Sequence, residues 1–273
     1  MRPVADLHMH SLHSDGEFSA TEIAREAQFR GLRAISVTDH DSLDFYDEEF
    51  SESFAAILLP GVELSVQLAG RAIHLLVYGF HKDDKHIRNW VKTCTLARDL
   101  RFEKMVEHLE LKGFQIREDA YKQKDRTSGG LARLCVKTGQ IQYAQTLFND
   151  ILHHPDCQAA SYAGFPALTA VLEDLRNQSG FCILAHPGVE FFKQESKLIQ
   201  LFAAGLDGIE VIHPSHNRVQ RVWYKKMCGQ HHKMVTGGSD FHNPRYSPIG
   251  IGRMGLDENQ WQNLNRQWKG NLN

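Results

Sequence analysis

Nine side chains able to bind a metal fall at or near the ends of segments that read as strands or their loops. They are His8, His10, Asp15, His40, Glu63, His74, His186, Asp240 and His242. The segments are Asp6-Leu7-His8-Met9-His10, Thr38-Asp39-His40-Asp41, Gly61-Val62-Glu63, Ile73-His74-Leu75, Ala185-His186-Pro187-Gly188 and Gly238-Ser239-Asp240-Phe241-His242, with Asp15 in the loop after the first. In extended chain, alternate side chains share a face, so His8 and His10 point the same way and can serve one ion. Imidazole mixed with carboxylate suits Zn, Mn or Fe, whereas thiolate sets suit Cu(I) and all-oxygen sets suit Ca. Nine candidates exceed one tetrahedral shell but suffice for two or three ions if a carboxylate bridges. Clustered ions can activate water and clamp both attacking and leaving oxygens.

These groups need a scaffold that brings strand ends together. Strands are expected at Val4–Leu7, Ala34–Thr38, Phe181–Ala185, Gly208–Ile212 and Lys233–Thr236, with Val62–Leu68 and Arg71–Tyr78 forming a hairpin about Ala69-Gly70. Helices are expected at Ser19–Arg30, Ser42–Phe54, Pro166–Gln178, Lys197–Ala204 and Ser215–Gly229. This rhythm implies a mostly parallel sheet, open or closed into a barrel, whose C-terminal strand ends form one mouth. Between about residues 80 and 180 no β-rich run occurs. Asp84–Leu111, Leu131–Thr138 and Tyr143–Leu152 read as helical. The expected division is therefore a sheet body, open or closed into a barrel, from residues 1–84 and 165–273, with residues 85–164 as a helical insertion or cap.

Composition narrows the chemistry further. The chain has 273 residues, 42% hydrophobic and 23% charged, enough for one large domain or one domain with an insertion. Its formal net charge of -2 offers no strong basic field for long nucleic acid. The five cysteines are scattered without a Cys-x-x-Cys pair, so reduced thiols in a cytoplasmic protein are expected. No apolar run long enough for a membrane span occurs, and no obligate protein partner is inferred. Of the remaining histidines, His81, His86, His108, His153, His154, His231 and His232 lie in polar contexts, and His13 neighbours Asp15. His213 and His216 follow the Gly208–Ile212 strand and face the same mouth, as candidates for substrate contact or proton transfer.

Taken in order, the segments above, together with Ser14-Asp15-Gly16 and Gly208-Ile209-Glu210-Val211, resemble the PHP (polymerase and histidinol phosphatase) phosphoesterases. The resemblance implies a distorted (β/α)7 barrel with a helical insertion and three adjacent metal sites. His8, His10, Glu63 and Asp240 would hold one ion. Glu63 would bridge to a second, also held by His74 and His186. Asp15, His40 and His242 would hold a third. Asp15, where other branches carry His, resembles the branch acting on nucleoside 3′,5′-bisphosphates and short RNA 5′ ends. Histidinol-phosphate phosphatases usually carry His there.

The implied activity is hydrolysis of a phosphate mono- or diester of a nucleotide or short RNA or DNA end by metal-activated hydroxide. Asp240 and Glu63 would be catalytic, and His216 would protonate the leaving alcohol. Asp39 would orient a ligand imidazole, and Asp41 would cap the next helix. The insertion would act as a lid whose basic residues Arg117, Lys122, Lys124, Arg126 and Arg133 could meet phosphate. This sequence departs from that branch at Ser128-Gly129-Gly130-Leu131, before Ala132-Arg133, and at Val189, after Gly188. Arg126, Arg133 or Arg218 would then supply the phosphate contacts. The other readings are a C–N or C–O hydrolase of amidohydrolase type, a histidinol-phosphate phosphatase, and a non-catalytic metal-binding domain.

Overall fold

The computed structural model describes residues 2–47, 56–122, 126–147, 152, 157, 164–176, 178, 180–245, 247 and 249–271. Eight strands lie among them: β1 (Ala5–Asp6), β2 (Ala34–Ile35), β3 (Ile57–Leu58), β4 (Gly61–Leu68), β5 (Arg71–Tyr78), β6 (Phe181–Leu184), β7 (Gly208–Ile212) and β8 (Met234–Gly237). The helices are α1 (Ala20–Arg30), α2 (Asp44–Asp47), α3 (Lys85–Leu111), α4 (Arg117–Lys122), α5 (Ser128–Lys137), α6 (Ala144–Leu147), α7 (Leu168–Leu175), α8 (Glu195–Ala204), α9 (Arg218–Gln230) and α10 (Glu258–Asn271).

The strands form two sheets, ordered β1-β2-β3 and β4-β5-β6-β7-β8. The first is parallel. In the second, the β4–β5 and β5–β6 pairs are antiparallel and the β6–β7 and β7–β8 pairs are parallel. The expected (β/α)7 barrel is therefore corrected to a mixed α/β fold that does not close. The strands of the first sheet are only two residues long, and the chain leaving β1 and β2 carries His8, His10 and His40. At that point the sheets meet in seams of a few backbone hydrogen bonds. Leu7, His10 and Asp240 donate to the Gly237, Phe241 and His8 carbonyls, and Asp41 and Glu63 donate to the Glu63 and Asp39 carbonyls.

Local sequence accounts for many of these elements. Ser19 and Glu22 form a reciprocal capping box on α1. Ala69 and Gly70 both have positive φ, 50° and 75°, the geometry of a type I′ turn that closes β4 onto β5. Asp84 caps α3 by accepting from the His86 and Ile87 amides. The first half of α3 buries Ile87 and Cys94 in the main core, and its second half buries Phe102, Met105, Val106 and Leu109 in a separate core with α4, α5 and α6. One helix thus belongs to both the sheet body and the insertion.

Several expectations shift. The helix expected over 42–54 is seen as α2, with residues 48–54 outside the described ones. That over 143–152 is seen as α6, with residues 148–151 outside them. The sequence did not announce α10, which is polar in composition. Its Trp261 and Leu264 nonetheless close the core cluster of Leu7, Leu76 and Ile183, with Trp268 packed against it. No described helix is long and apolar enough to cross a membrane.

One buried side chain fixes the entry to β4. The Tyr46 hydroxyl lies 2.6 Å from the Val37 carbonyl and 3.0 Å from that of Leu59, and accepts from the Gly61 amide at 3.0 Å. Tyr46→Phe strands the buried Gly61 N–H, at a cost of roughly 1–3 kcal/mol. Urea unfolding should show that loss as a lower midpoint at unchanged slope; an unchanged midpoint would show that the hydroxyl is dispensable.

Candidate metal centre

Glu63 sits at the middle of the site, on the third residue of β4, with no exposure to solvent. Its Oε2 lies 3.2 Å from His8 Nε2, 3.2 Å from His10 Nε2 and 3.3 Å from His40 Nδ1. Its Oε1 lies 2.9 Å from both His74 Nδ1 and His186 Nε2. One carboxylate thus divides five imidazoles into two groups.

Asp240 forms the opposite wall. Its Oδ1 is 3.2 Å from His8 Nε2 and 3.3 Å from His10 Nε2. Asp15 closes the third side, 3.4 Å from His242 Nε2, 3.6 Å from His10 Nδ1 and 3.9 Å from His40 Nε2. The structure therefore brings all nine expected ligand residues together. Donor atoms of His8, His10, Glu63 and Asp240 lie within 4.8 Å of one another, as do those of His10, Asp15, His40 and His242, and those of His40, Glu63 and His74.

The donor chemistry fits divalent cations. Burial opposes the charge on Glu63, yet the facing His40, His74 and His8 hold it well below the usual carboxylate range. Asp240 is likewise held down against burial by His8, His10 and His213, and Asp15 by His40 and His242. Burial opposes His8 as an imidazolium, but Glu210, Glu63 and Asp240 raise it well above the ordinary value. His10 is raised to about 10 against burial by Asp240 and Glu63. Burial dominates at His40 and lowers its proton affinity, and its buried Nδ1 has no aligned hydrogen-bond partner among the described residues. A buried ring nitrogen without a partner, beside ionised carboxylates, is what a cation would satisfy.

The backbone is shaped to make this cluster. Asp41, His186 and Asp240 adopt positive φ values of 50°, 24° and 51°. Each such residue costs about 1–3 kcal/mol and persists only where its surroundings enforce it. Gly238 must be glycine, since a Cβ there would come within 2.4 Å of the His8 backbone.

Outer contacts orient the clustered side chains. Glu210 Oε1 is 3.0 Å from His8 Nδ1, and its Oε2 accepts from the His186 amide at 2.9 Å. Sequence reading assigned Glu210 no role; a lone carboxylate inside the apolar run Gly208–Ile212 was the available signal. Asp39 accepts from the Ser11 amide and from the Ser11 and Ser14 hydroxyls, at 2.5–2.7 Å, instead of from a ligand ring. It shapes the first loop and reaches His10 only through Ser14, 3.5 Å from Nδ1. Asp41 does not cap α2. Its Oδ1 accepts from the Ser65 amide and its Oδ2 pairs with Arg98 of α3, both at 2.7 Å.

The expected substrate residues separate. His216 is buried, with Nδ1 3.0 Å from the Val211 carbonyl and Nε2 accepting from the Gly188 amide at 2.9 Å. Both nitrogens are committed to a neutral ring, and burial lowers its proton affinity. The expected proton donor is therefore a staple that holds the His186–Gly188 loop. His213 is also buried, against Asp240.

A cleft of about 470 Å³ opens over Asp15, His40, His74 and His242, with Arg98, Arg101 and Arg133 on the insertion side. Arg126 lines a neighbouring cleft and pairs with Asp99 at 2.8 Å. Arg218 is exposed at the start of α9, away from these clefts. Arg117 and Lys122 pair with Glu110 and Glu118 on the surface, and Lys124 lies outside the described residues. Arg98 and Arg101 escaped sequence reading because only the geometry of α3 turns them toward the mouth.

The profile of the PHP domain family matches residues 6–183. The chain belongs to the PHP domain family. Among PHP relatives it is 29% identical over 247 residues to a 5′-3′ exoribonuclease of Haemophilus influenzae, covering 88% of this chain and 90% of that one. It is 26% identical over 249 residues to a 3′,5′-nucleoside bisphosphate phosphatase of Chromobacterium violaceum, covering 88% and 87%. A solved structure from Bifidobacterium adolescentis, described as of the metal-dependent phosphoesterase kind, superposes with a TM-score of 0.78 at 26% identity, covering 97% of this chain and 96% of that one.

Two outcomes follow for the PHP cluster. Glu63→Ala should weaken Mn²⁺ binding by more than the roughly 10–100-fold typical of outer contacts, read by metal content after desalting; undiminished content would remove Glu63 from the centre. Because His8 and His10 hold protons in the metal-free protein, Mn²⁺ uptake near neutral pH should release protons and tighten as pH rises. Calorimetry in buffers of different ionisation enthalpy measures the release; a proton count of zero would contradict it.

Proposed function

We propose that this chain is a metal-dependent phosphoesterase acting on a phosphate ester of a nucleotide or short oligonucleotide. The observation that carries the reading is one cleft lined both by members of the Glu63-centred cluster, Asp15, His40, His74, Asp240 and His242, and by Arg98, Arg101 and Arg133. A phosphoryl group in it would meet both cations and guanidinium donors.

His8, His10, Glu63 and Asp240 would hold one divalent ion, Glu63, His74 and His186 a second, and Asp15, His40 and His242 a third. Mn, Fe or Zn suits this donor set. When bound, such ions lower the pKa of water toward neutrality and draw charge from phosphoryl oxygens.

The protein's own part is positioning. Asp41 and the Ser65 hydroxyl hold the Arg98 guanidinium, at 2.7 and 2.6 Å, so it enters the cleft already oriented. Arg133 projects from α5, whose amino end is capped by Thr127. His216 keeps the His186 loop in place. Residues 85–164 act as a cap; their separate core supports that role. The cleft over the metal cluster shares Asp15 with two neighbours of about 500 and 670 Å³, room for more than a single phosphate. The names of the exoribonuclease and bisphosphatase relatives support the same substrate class. A cytoplasmic setting fits the five cysteines, all free and buried.

The cleft's arginines favour phosphate over the neutral amide an amidohydrolase would take. Mn²⁺-loaded protein should release phosphate or nucleotide from adenosine 3′,5′-bisphosphate or a 5′-phosphorylated trinucleotide, and Asp240→Ala should abolish it. Arg133→Ala should lower kcat/KM by about 10–100-fold, the worth of a hydrogen bond to a charged group. Turnover of histidinol phosphate alone would move the substrate to another class. Silence of metal-loaded protein on every phosphate ester would end the proposal.

A further inference from the structure

β7 carries its polar groups out of simple alternation. Glu210 faces the metal cluster, and strict alternation would next turn Ile212 that way. The β7–β8 register instead shifts between Glu210 and Ile212. Such irregularities re-aim the side chain that follows. Ile212 packs among apolar side chains, and His213 turns inward, buried, its ring 5.0 Å from that of His186 and 6.0 Å from that of His8.

The two nitrogens of His213 have different surroundings. Nδ1 accepts from the Ser215 amide at 3.1 Å and lies 2.7 Å from the Ser215 hydroxyl. An amide can only donate, so Nδ1 is an acceptor and the proton of the neutral ring sits on Nε2. Nε2 lies 3.2 Å from Asp240 Oδ2, a contact short of an aligned hydrogen bond, and has no hydrogen-bond partner among the described residues. That carboxylate oxygen is the acceptor within reach of the proton. The other oxygen of Asp240 faces His8 and His10. Asp240 also needs restraint, because its backbone sits at a φ of 51°.

We infer that His213 is a positioning residue: its Nε2–H holds Asp240 Oδ2, and so turns Oδ1 toward the ions of the cluster. The inference rests on the reading that the cluster holds divalent ions. Partners of this kind fix a ligand's orientation and basicity without touching the metal. Neither substrate contact nor proton transfer is needed to explain the residue.

Two polar replacements separate position from mere bulk. Glutamine places an amide N–H near the position of Nε2. Asparagine reaches only to that of Nδ1. Co²⁺ titration of metal-free protein, followed by the visible absorption of the bound ion, reads affinity and ligand geometry without turnover. His213→Gln should keep the wild-type affinity, spectrum and number of ions. His213→Asn should bind the same number of ions roughly 10–100-fold more weakly, with a changed spectrum. Wild-type behaviour of His213→Asn would overturn the inference. So would loss of one ion from both variants, which would make His213 a ligand. If wild-type protein bound no Co²⁺, the metal reading itself would fall, an outcome distinct from either.

Discussion

A carboxylate with no solvent exposure is costly unless its charge is answered on every side. Glu63 is such a group, and the architecture can be traced outward from it. Five imidazoles answer it, delivered from both sheets: His8 and His10 after β1, His40 after β2, His74 from within β5 and His186 after β6. The β4–β5 hairpin gives Glu63 and His74 a rigid base, and the seams between the sheets bring the other rings to it. Imidazole–carboxylate pairs fill the site, and the same donors would face ions.

The cost of this convergence is distributed over the surrounding shell. Asp6, pushed up to about 6 by burial, accepts from the Ser239 and Gly252 amides and ties β1 to the loop that presents Asp240. Strained residues have neighbours that brace them: Asp41 pairs with Arg98, the loop after His186 is held at the Gly188 amide by His216, and Asp240 lies 3.2 Å from His213. Helix α3 couples this shell to the insertion, since one of its ends packs on the sheet body and the other in the insertion core. The metal cluster's surroundings and the second core therefore share one helix.

The clustered acid and imidazole groups were legible because extended chain obeys a two-residue period and strand ends converge. His8-Met9-His10 and Asp240-Phe241-His242 carried that information locally. The hairpin was legible from Ala69-Gly70, and α1 from Ser19 and Gly31. What could not be read depended on contacts distant in sequence. Asp39 and Asp41 flank His40 in the sequence, yet one shapes the first loop and the other binds an arginine 57 positions away. His213 and His216 looked equivalent until a register shift in β7 turned one toward Asp240 and left the other as a loop staple. The strands' failure to close a barrel, and the polar helix α10 sealing one end, likewise follow from packing that no local pattern reports.

The most direct measurement of the account is anomalous diffraction from crystals grown with Mn²⁺. The account predicts ions on both sides of Glu63, one beside Oε2 with His8, His10 and Asp240, the other beside Oε1 with His74 and His186. Ions found only away from Glu63, or no ordered ion in the cluster at saturating Mn²⁺, would contradict it.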